Sequence, residues 1–296
     1  MARYLDPKSD LTFKRIFGEH PHLLLSFLNS LMPFEEGRFI EEIQYLPAEQ
    51  VPDNPGKKDS IVDVKCKDNY NRQFIVEMQM YWSPYFKNRM VFNAGKAYVR
   101  QLNKNEQYHL LQRVYSLAIL NENFDNTTEQ FYHHYQIVNR ENTDEVIPGL
   151  EFVLIELPKF CPQSWENRKL AALWLRFLKE VDETMQSLPK ELQENADISQ
   201  AAEICEESAF TPAELAAYDT YWDAVRREKS AIFDALIEGE VKGRAEGRAE
   251  GEVKGKAQKT KQVVFNSHRN GIPVETIALI ADLTVEQVHK ILNLSL

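Results

Sequence analysis

Two carboxylates stand fourteen residues apart in the stretch IVDVKCKDNYNRQFIVEMQM, residues 61–80. Asp63 and Glu77 each interrupt a run in which apolar and polar residues alternate, and a short polar segment separates the two runs. Alternation with a period of two is typical of β-strands, so the stretch predicts a hairpin. Its apolar positions are buried together only if odd residues pair with odd residues, because a slip of one residue turns them toward water.

A three-residue turn at Asn69, Tyr70 and Asn71 gives this register and sets Asp63 directly opposite Glu77. Directly opposed Cβ atoms lie about 4.5 to 5.5 Å apart, where like charges repel. A divalent cation would offset the repulsion, and Mg²⁺ commonly binds one or two carboxylates together with phosphate oxygens. Such an ion polarises a phosphodiester and lowers the pKa of a water molecule. The two carboxylates therefore predict metal-assisted phosphodiester hydrolysis.

An exposed sheet face explains the same residues without a metal ion. The charges of Lys65, Lys67 and Arg72 would then offset those of the carboxylates. A hairpin with one polar face is ordinary in antiparallel sheets. The pattern of residues alone leaves both interpretations open.

The elements that must hold this hairpin follow from the periodicity of the chain. A cap-like Ser9-Asp10 precedes apolar residues at helical spacing up to Leu31, and Gly18 and Pro21 divide them into two short helices. Strands are predicted at 39–46, 113–120, 134–139 and 151–157, a proline-rich loop at 47–56 and a helix at 85–103. This order of strands and helices predicts an α/β core.

The helix predicted at 85–103 carries one polar stripe with spacings of four, three and four. The stripe consists of Arg89, Asn93, Lys96 and Arg100. The opposite face is apolar and predicts burial. Such a stripe suits phosphates on either side of a scissile bond, through salt-sensitive contacts that do not depend on sequence. A solvated helix face is the alternative interpretation.

Composition and charge exclude several classes of protein. Of 296 residues, 43% are hydrophobic and 27% charged, which allows one main domain with an appendage. The three cysteines form no CxxC pair, which argues against a disulfide framework and a structural zinc site. The net charge of -10 opposes general attraction to nucleic acid, but residues 1–120 hold 16 Lys and Arg against 14 Asp and Glu. No apolar run suits a membrane span or a secretory signal, so we expect a cytosolic protein.

The chain after residue 160 is predicted to be mostly helical. Residues 161–237 are expected to pack on or beside the core formed by residues 1–160, through one apolar set. The members of that set are Trp165, Leu170, Leu173, Trp174, Phe177 and Leu178. In residues 263–296, Pro273 and Thr284 mark the starts of two short helices. Helix-turn-helix DNA readers share this outline, but Lys290 is the only Lys or Arg of the second helix, which favours packing or docking.

Glycine recurs every four residues in the segment 238–262. Pairs such as Glu250 with Lys254 and Glu252 with Lys256 would stabilise a helix there, while each interior glycine costs about 1 kcal/mol relative to alanine. A stripe of glycine allows another helix to approach closely. The segment is predicted as a self-association helix, with a charged linker as the alternative.

These residues together carry a resemblance to a known family. The stretches are SDLTFKRIFG, KKDSIVDVKCKDNYNRQFIVEMQM, NRMVFNAGKAYVRQLNKNEQYHLLQRVYSLAIL, FVLIELPKF and the glycine-spaced tail. Their order resembles the core of the PD-(D/E)xK nuclease superfamily and, more narrowly, the bacterial Rpn recombination-promoting nucleases, also described as PD-(D/E)xK transposases. The resemblance implies an α/β fold with a restriction-endonuclease-like mixed sheet, flanking helices and a C-terminal helical extension.

The resemblance also implies roles for individual residues. Asp63 and Glu77 correspond to metal ligands, and the backbone carbonyl of Met78 is a third candidate ligand. Gln79 stands where other members of the superfamily have lysine, although glutamine is usual in the Rpn branch. Lysine would orient the attacking water and stabilise the transition state, whereas glutamine only forms hydrogen bonds.

A cation from elsewhere in the chain is therefore expected to assist. Lys14 and Lys65 are the candidates, with a solvated helix residue and a local charge partner as their respective alternatives. Asp10 resembles an N-terminal acidic residue of the family; a helix N-cap is its other interpretation, and a metal ligand the less favoured one.

The sequence thus predicts an Mg²⁺-dependent DNA endonuclease of the bacterial cytoplasm, linked to recombination or mobile elements. Another divalent cation would serve equally. A catalytically silent relative that binds DNA or a protein is the alternative function, and RNA is not excluded as the substrate. The expected partners are DNA and a second copy of the chain, bound through residues 238–262.

Overall fold

The computed structural model of the protein describes residues 3–35, 37–49, 61–165 and 168–293. The chain divides into two compact units, Met1–Arg226 and Arg227–Leu296. Most of the predicted loop at 47–56 lies outside the described residues, as does the side chain of Trp165.

Helices and strands follow the predicted order. The helices are α1 (Asp10–Glu19), α2 (Pro21–Leu31), α3 (Phe86–Val99), α4 (Lys169–Glu180), α5 (Lys190–Gln193), α6 (Ala196–Ile204), α7 (Pro212–Arg269), α8 (Val274–Ala281) and α9 (Val285–Asn293). The strands are β1 (Ile43–Tyr45), β2 (Val64–Asp68), β3 (Gln73–Gln79), β4 (Val114–Leu120), β5 (Tyr132–Val138) and β6 (Val146–Glu156). β1 is shorter than the predicted strand, and β6 is longer.

Within the described residues, six strands form one sheet in the order β1-β2-β3-β4-β6-β5. β3, β4 and β6 are parallel, whereas β1, β2 and β5 pair antiparallel with their neighbours. Helices lie against both faces. The predicted α/β fold with a mixed sheet and flanking helices is confirmed, and the carboxyl ends of β3, β4 and β6 meet at one edge.

The hairpin of β2 and β3 has the predicted register. Val64 pairs with Val76 and Lys67 with Gln73, so odd residues pair with odd residues. Residues 69–71 form the turn, and Asn71 has φ of 60°, a left-handed conformation that asparagine tolerates better than most residues. The burial of the apolar set thus fixes the pairing, as the alternation predicts.

Val62 departs from the predicted alternation. Alternation from residue 61 onward would place Val62 on the same face as Val64 and Cys66, but Val62 packs with Ile75 and Ala94 on the opposite side of the sheet. β2 begins only at Val64, and the rule that alternate residues share a face holds only inside a strand. The chain bends at residue 63, and this bend carries the first carboxylate.

One face of the sheet packs on a large core that includes α1, α2 and α4. Trp174 of α4 is fully buried, and its ring lies 5.4 Å from that of Phe17 in α1 and 5.5 Å from that of Phe27 in α2. Of the predicted apolar set, Phe177 and Leu178 are also fully buried. Residues of α4 and α6 therefore belong to the same core as the strands.

The other face of the sheet is covered by α3. Met90, Ala94 and Ala97 of this helix are buried against strand residues that include Ile75 and Leu154. The face that bears Glu77 is thus not the open, solvated face of the alternative interpretation. A polar side chain on it must find partners between the helix and the strands.

The unit formed by Arg227–Leu296 has a small core of its own. Val264 near the end of α7 packs with Ile277 of α8 and Val288 of α9. Thr284 caps α9 as predicted, because its Oγ1 accepts from the N–H of Gln287 while Gln287 Oε1 accepts from the N–H of Thr284.

The glycine-spaced segment lies within α7 and is helical. The predicted pair of Glu250 and Lys254 is present at 3.1 Å. Glu252 pairs with Arg248 at 3.4 Å rather than with Lys256, since both lie one helical turn away.

Candidate active site

Asp63 and Glu77 come together at the carboxyl end of β3. Asp63 immediately precedes β2, and its Oδ2 accepts a hydrogen bond of 2.6 Å from the backbone N–H of Met78. This bond extends the hairpin beyond the last strand pair, Val64 with Val76. It fixes the Asp63 carboxylate beside the residue that follows Glu77.

Glu77 is a buried carboxylate, with 5% of its surface exposed. Its Oε1 accepts a hydrogen bond of 2.9 Å from Nδ2 of Asn93, a fully buried residue of α3. Oε2 has no hydrogen-bond partner within the described part of the chain, although Nη2 of Arg89 lies 3.5 Å away. Burial raises the pKa of Glu77, and the nearby Arg89 charge and the Asn93 hydrogen bond only partly offset this.

The pKa of Asp63 is raised to about 7. Burial is the main cause; the hydrogen bond from Met78 lowers the pKa, and the negative charges of Glu77 and Asp10 raise it further. Lys14 lowers it to a smaller extent. Ionisation of both acids is therefore unfavourable here, and a divalent cation bound to them would stabilise their ionised forms.

Asp10 and Lys14 lie close enough to Asp63 for their charges to act on it. Both belong to the first turns of α1, where they form an ion pair of 2.6 Å. The N-cap of α1 is Ser9, whose side chain accepts from the N–H of Thr12. The N-cap interpretation of Asp10 is therefore wrong: Asp10 is the first residue of the helix, and its carboxylate is paired with Lys14.

Lys65 lies on β2, where it pairs with Ile75 of β3. Its side chain is 9% exposed and faces α3, and burial followed by the charge of Arg100 lowers its pKa. The structure thus brings the charge of Lys14 to Asp63, whereas the charge that acts on Lys65 is that of Arg100, which directly follows α3.

Gln79 is held at both ends of its amide. Oε1 accepts a hydrogen bond of 2.5 Å from Nη2 of Arg89, and Nε2 donates to the carbonyl of Tyr81 at 2.6 Å. The residue that replaces lysine in the motif is therefore in direct contact with a cation from α3.

The four residues of the polar stripe on α3 differ in how deeply they are buried. Arg89 and Arg100 are exposed and Lys96 is half-buried, but Asn93 is fully buried. This corrects the predicted phosphate contact of Asn93, whose amide is enclosed with Glu77. The sequence does indicate that Asn93 is buried, because Asn93 follows Met90 by three residues and precedes Ala97 by four, which places it on the apolar face of the helix.

Tyr221 of α7 is a neighbour that the sequence reasoning missed. The charges of Asp10 and Asp63 contribute, after burial, to the raised pKa of its hydroxyl. A cleft of about 270 Å³ is lined by Asp10, Lys14, Glu214 and Tyr221, among others. Since α7 is far from the hairpin in sequence, only the fold brings Tyr221 to this place.

A model of one protein family matches residues 7–235 of the chain, more than two thirds of its length. That family is described as the PD-(D/E)XK nuclease family transposases. The chain belongs to this family. Searches of curated proteins and of solved structures find no match to the chain.

Membership of the PD-(D/E)XK family confirms the resemblance drawn from the sequence and supports a nuclease-like function. Nucleases of this superfamily generally use divalent metal ions. The matched region includes β2, β3 and α3 and thus every residue of the candidate site, whereas the whole glycine-spaced segment, residues 238–262, lies beyond it.

The residues of the candidate site fit a cation with few protein ligands. No three His, Cys, Asp or Glu side chains of the described chain cluster as a complete metal site. Two carboxylates suffice for Mg²⁺, which keeps water and phosphate oxygens as its other ligands. The buried Oε2 of Glu77, which lacks a hydrogen bond within the described chain, fits such a role.

No helix of the described residues is both long and apolar enough to cross a membrane.

Proposed function

We propose that this protein is a metal-dependent DNA endonuclease that hydrolyses phosphodiester bonds in the bacterial cytoplasm, in recombination or the movement of mobile elements. The observation that carries the proposal is the meeting of Asp63 and Glu77 at the carboxyl end of β3. Both acids have raised pKa values, and the buried Oε2 of Glu77 makes no hydrogen bond within the described residues, with Arg89 Nη2 at 3.5 Å. Paired acids of this kind are costly unless a cation joins them.

Asp63 and Glu77 are the proposed ligands of Mg²⁺ or a similar divalent ion, with the carbonyl of Met78 beside them. When bound, the ion polarises the phosphodiester and lowers the pKa of the attacking water. Asn93 holds Glu77 by its Oε1 and so leaves Oε2 for the ion. Asp10 has a lesser role here, because Lys14 already neutralises its carboxylate at 2.6 Å.

Three cations on or at the end of α3 are the proposed contacts to the DNA backbone. Arg89, Lys96 and Arg100 lie along one helix, and Arg89 is adjacent to Glu77. Each phosphate that such a side chain neutralises releases counterions, so we expect binding to weaken steeply with salt.

Purified protein is expected to nick or cut plasmid DNA with Mg²⁺ and to stop when EDTA removes the ion. Calorimetric titration should show Mg²⁺ binding that depends on Asp63 and Glu77. DNA binding without cleavage and without such Mg²⁺ binding would identify the silent relative. Cleavage of single-stranded RNA in preference to DNA would show that the substrate class is wrong.

We further propose that residues 238–262 mediate self-association. Ile237, Val241 and Val253 are exposed along this part of α7. A Cβ added at Gly243, Gly247 or Gly251 would meet no described atom within 4 Å, so packing within the described chain does not require glycine there. Close approach of a second helix would require it.

Replacement of Gly243, Gly247 and Gly251 together by alanine tests this proposal in the full chain. Each change favours the helix itself by about 1 kcal/mol, so helicity should rise slightly in any case. Sedimentation should show a smaller assembly, as should a chain that ends at Ile237. Unchanged mass in both variants would contradict self-association through this segment.

A further inference from the structure

Gln79 and Arg89 form a connected pair next to Glu77. The guanidinium Nη2 donates to Gln79 Oε1 at 2.5 Å, and the other end of the amide is tied to the carbonyl of Tyr81. A side-chain amide bound at both ends has one orientation, with its oxygen toward Arg89. Gln79 thus determines where the guanidinium lies.

The same nitrogen of Arg89 lies 3.5 Å from Oε2 of Glu77. Glu77 and Gln79 are two residues apart in β3 and point to the same face of the sheet. The positive charge of Arg89 therefore occupies the region that a lysine at position 79 would reach. The ring of Phe86, 4.9 Å below the guanidinium, supports it from the helix side.

Arg89 keeps donors for a substrate. Both of its polar contacts use Nη2, and about half of its side chain is exposed. Nε and Nη1 make no hydrogen bond to a described residue. Arginine offers two parallel N–H donors in a planar fork, which matches two oxygens of a phosphate.

The other two cations considered for this role are worse placed. Lys14 is paired with Asp10, so its charge is largely neutralised at the site. Lys65 is buried, with 9% of its surface exposed, so little of it is open to a phosphate. Arg89 alone among these three contacts a residue of the motif.

We propose that Arg89 is a catalytic residue that binds the scissile phosphate and replaces the motif lysine, and that Gln79 is its positioning residue. In hydrolysis the oxygen of water bonds to phosphorus as the water gives up a proton, the bond to the leaving oxygen breaks, and the leaving oxygen takes up a proton to become a hydroxyl. Negative charge grows on the phosphoryl and leaving oxygens as this occurs. A guanidinium fixed beside them stabilises the transition state more than the bound substrate.

The inference rests on the proposed nuclease function, so wild-type cleavage with Mg²⁺ is measured first. Its absence would overturn the nuclease function and the role of Arg89 together. Where the wild type cuts, Arg89→Met is expected to slow single-turnover cleavage at saturating protein by about a hundredfold, as for removal of one transition-state donor. DNA affinity, measured by anisotropy without Mg²⁺, should change far less, and Mg²⁺ affinity should not fall.

Rescue separates this role from a structural one. Gln79→Lys added to Arg89→Met returns a cation to the same place. The double variant should therefore cut at least about tenfold faster than Arg89→Met alone. Gln79→Ala should slow cleavage in the wild type but add little to Arg89→Met, since the two residues act as a unit. Lys87→Met, on the same helix but in contact with Phe124 and Tyr135, is the matched control and should cut like the wild type.

Two results would overturn the inference while leaving the nuclease function intact. One is an Arg89→Met variant that cuts at the wild-type rate. The other is a double variant, with Arg89→Met and Gln79→Lys, that cuts no faster than Arg89→Met although circular dichroism shows both to be folded.

Discussion

Asp63→Asn is expected to abolish cleavage and to make the metal-free protein more stable at neutral pH. The asparagine oxygen can still accept the hydrogen bond from Met78, so the local structure should persist. The substitution removes one of two charged ligands, and with it several kcal/mol of charge stabilisation in the transition state. The rate should therefore fall by a factor on the order of a thousand or more.

The gain in stability follows from the raised pKa of Asp63. The folded protein holds this proton up to about pH 7, while the unfolded chain releases it near the ordinary value of 3.8. The stability of the metal-free wild type should thus fall as pH rises from about 4 to about 7. Asp63→Asn lacks this fall, and at pH 8 its free energy of unfolding should be higher by up to about 4 kcal/mol, since each unit of difference in pKa corresponds to about 1.4 kcal/mol.

Urea unfolding in EDTA at pH 5 and pH 8 measures the difference. Mg²⁺ should raise the melting temperature of the wild type but not of Asp63→Asn, because only the wild type binds the ion when folded. Glu77→Gln should behave like Asp63→Asn in cleavage, in urea unfolding and in the response of its melting temperature to Mg²⁺.

Asp68→Asn is the control from the same hairpin. Asp68 is a buried carboxylate, but it accepts from Arg72 Nε and from the backbone N–H groups of Tyr70 and Arg72. Its loss should therefore lower stability and leave cleavage intact. A variant Asp68→Asn that gains stability, or an Asp63→Asn that still cuts, would contradict the assignment of the two carboxylates.

Local pattern was sufficient to predict the hairpin and its register. Alternation and burial specify one pairing, and a turn that ends on Asn71 is compatible with it. The same rule failed at Val62, because the sequence does not show that β2 begins only at Val64. At the bend between Val62 and Val64, the Asp63 carboxylate accepts the hydrogen bond from the N–H of Met78, a contact between strands that the sequence does not show.

The partners of Glu77 could be predicted only in part. Asn93 lies on the apolar face of the helix that the sequence predicts, so its burial could be predicted. Its contact with Glu77 depends on how α3 crosses β3. The contact between Gln79 and Arg89 depends on the same crossing. Spacing in the sequence restricts which residues share one face of a helix or strand. Which helix face lies against which strand is decided by packing of the whole unit.

Trp174→Ala is expected to cause the largest loss of stability among single substitutions in the unit Met1–Arg226. The side chain is fully buried against Phe17, Phe27 and Phe177, and its Nε1 donates to Oγ of Ser26. Truncation of such a residue leaves a cavity and costs about 3 to 5 kcal/mol. For a unit of this size the melting temperature should fall by roughly 10 °C.

Matched variants identify what the tryptophan contributes. Trp174→Phe keeps a ring but loses the bond to Ser26, and it should cost about 1 to 2 kcal/mol. Leu173→Ala removes a neighbour on α4 that is only partly buried and should cost less than Trp174→Ala. If Leu173→Ala were equally damaging, the core would not be centred on Trp174.

The site should tolerate Trp174→Ala wherever the variant is folded. Trp174 lies on the face of the sheet opposite α3, whereas Glu77, Asn93 and Arg89 lie between the sheet and α3. Cleavage at a temperature well below the lowered melting point should therefore stay close to the wild-type rate. A lost rate in a demonstrably folded Trp174→Ala would mean that α1, which carries Asp10 and Lys14 and packs on Trp174 through Phe17, positions the reacting groups more tightly than the α3 contacts imply.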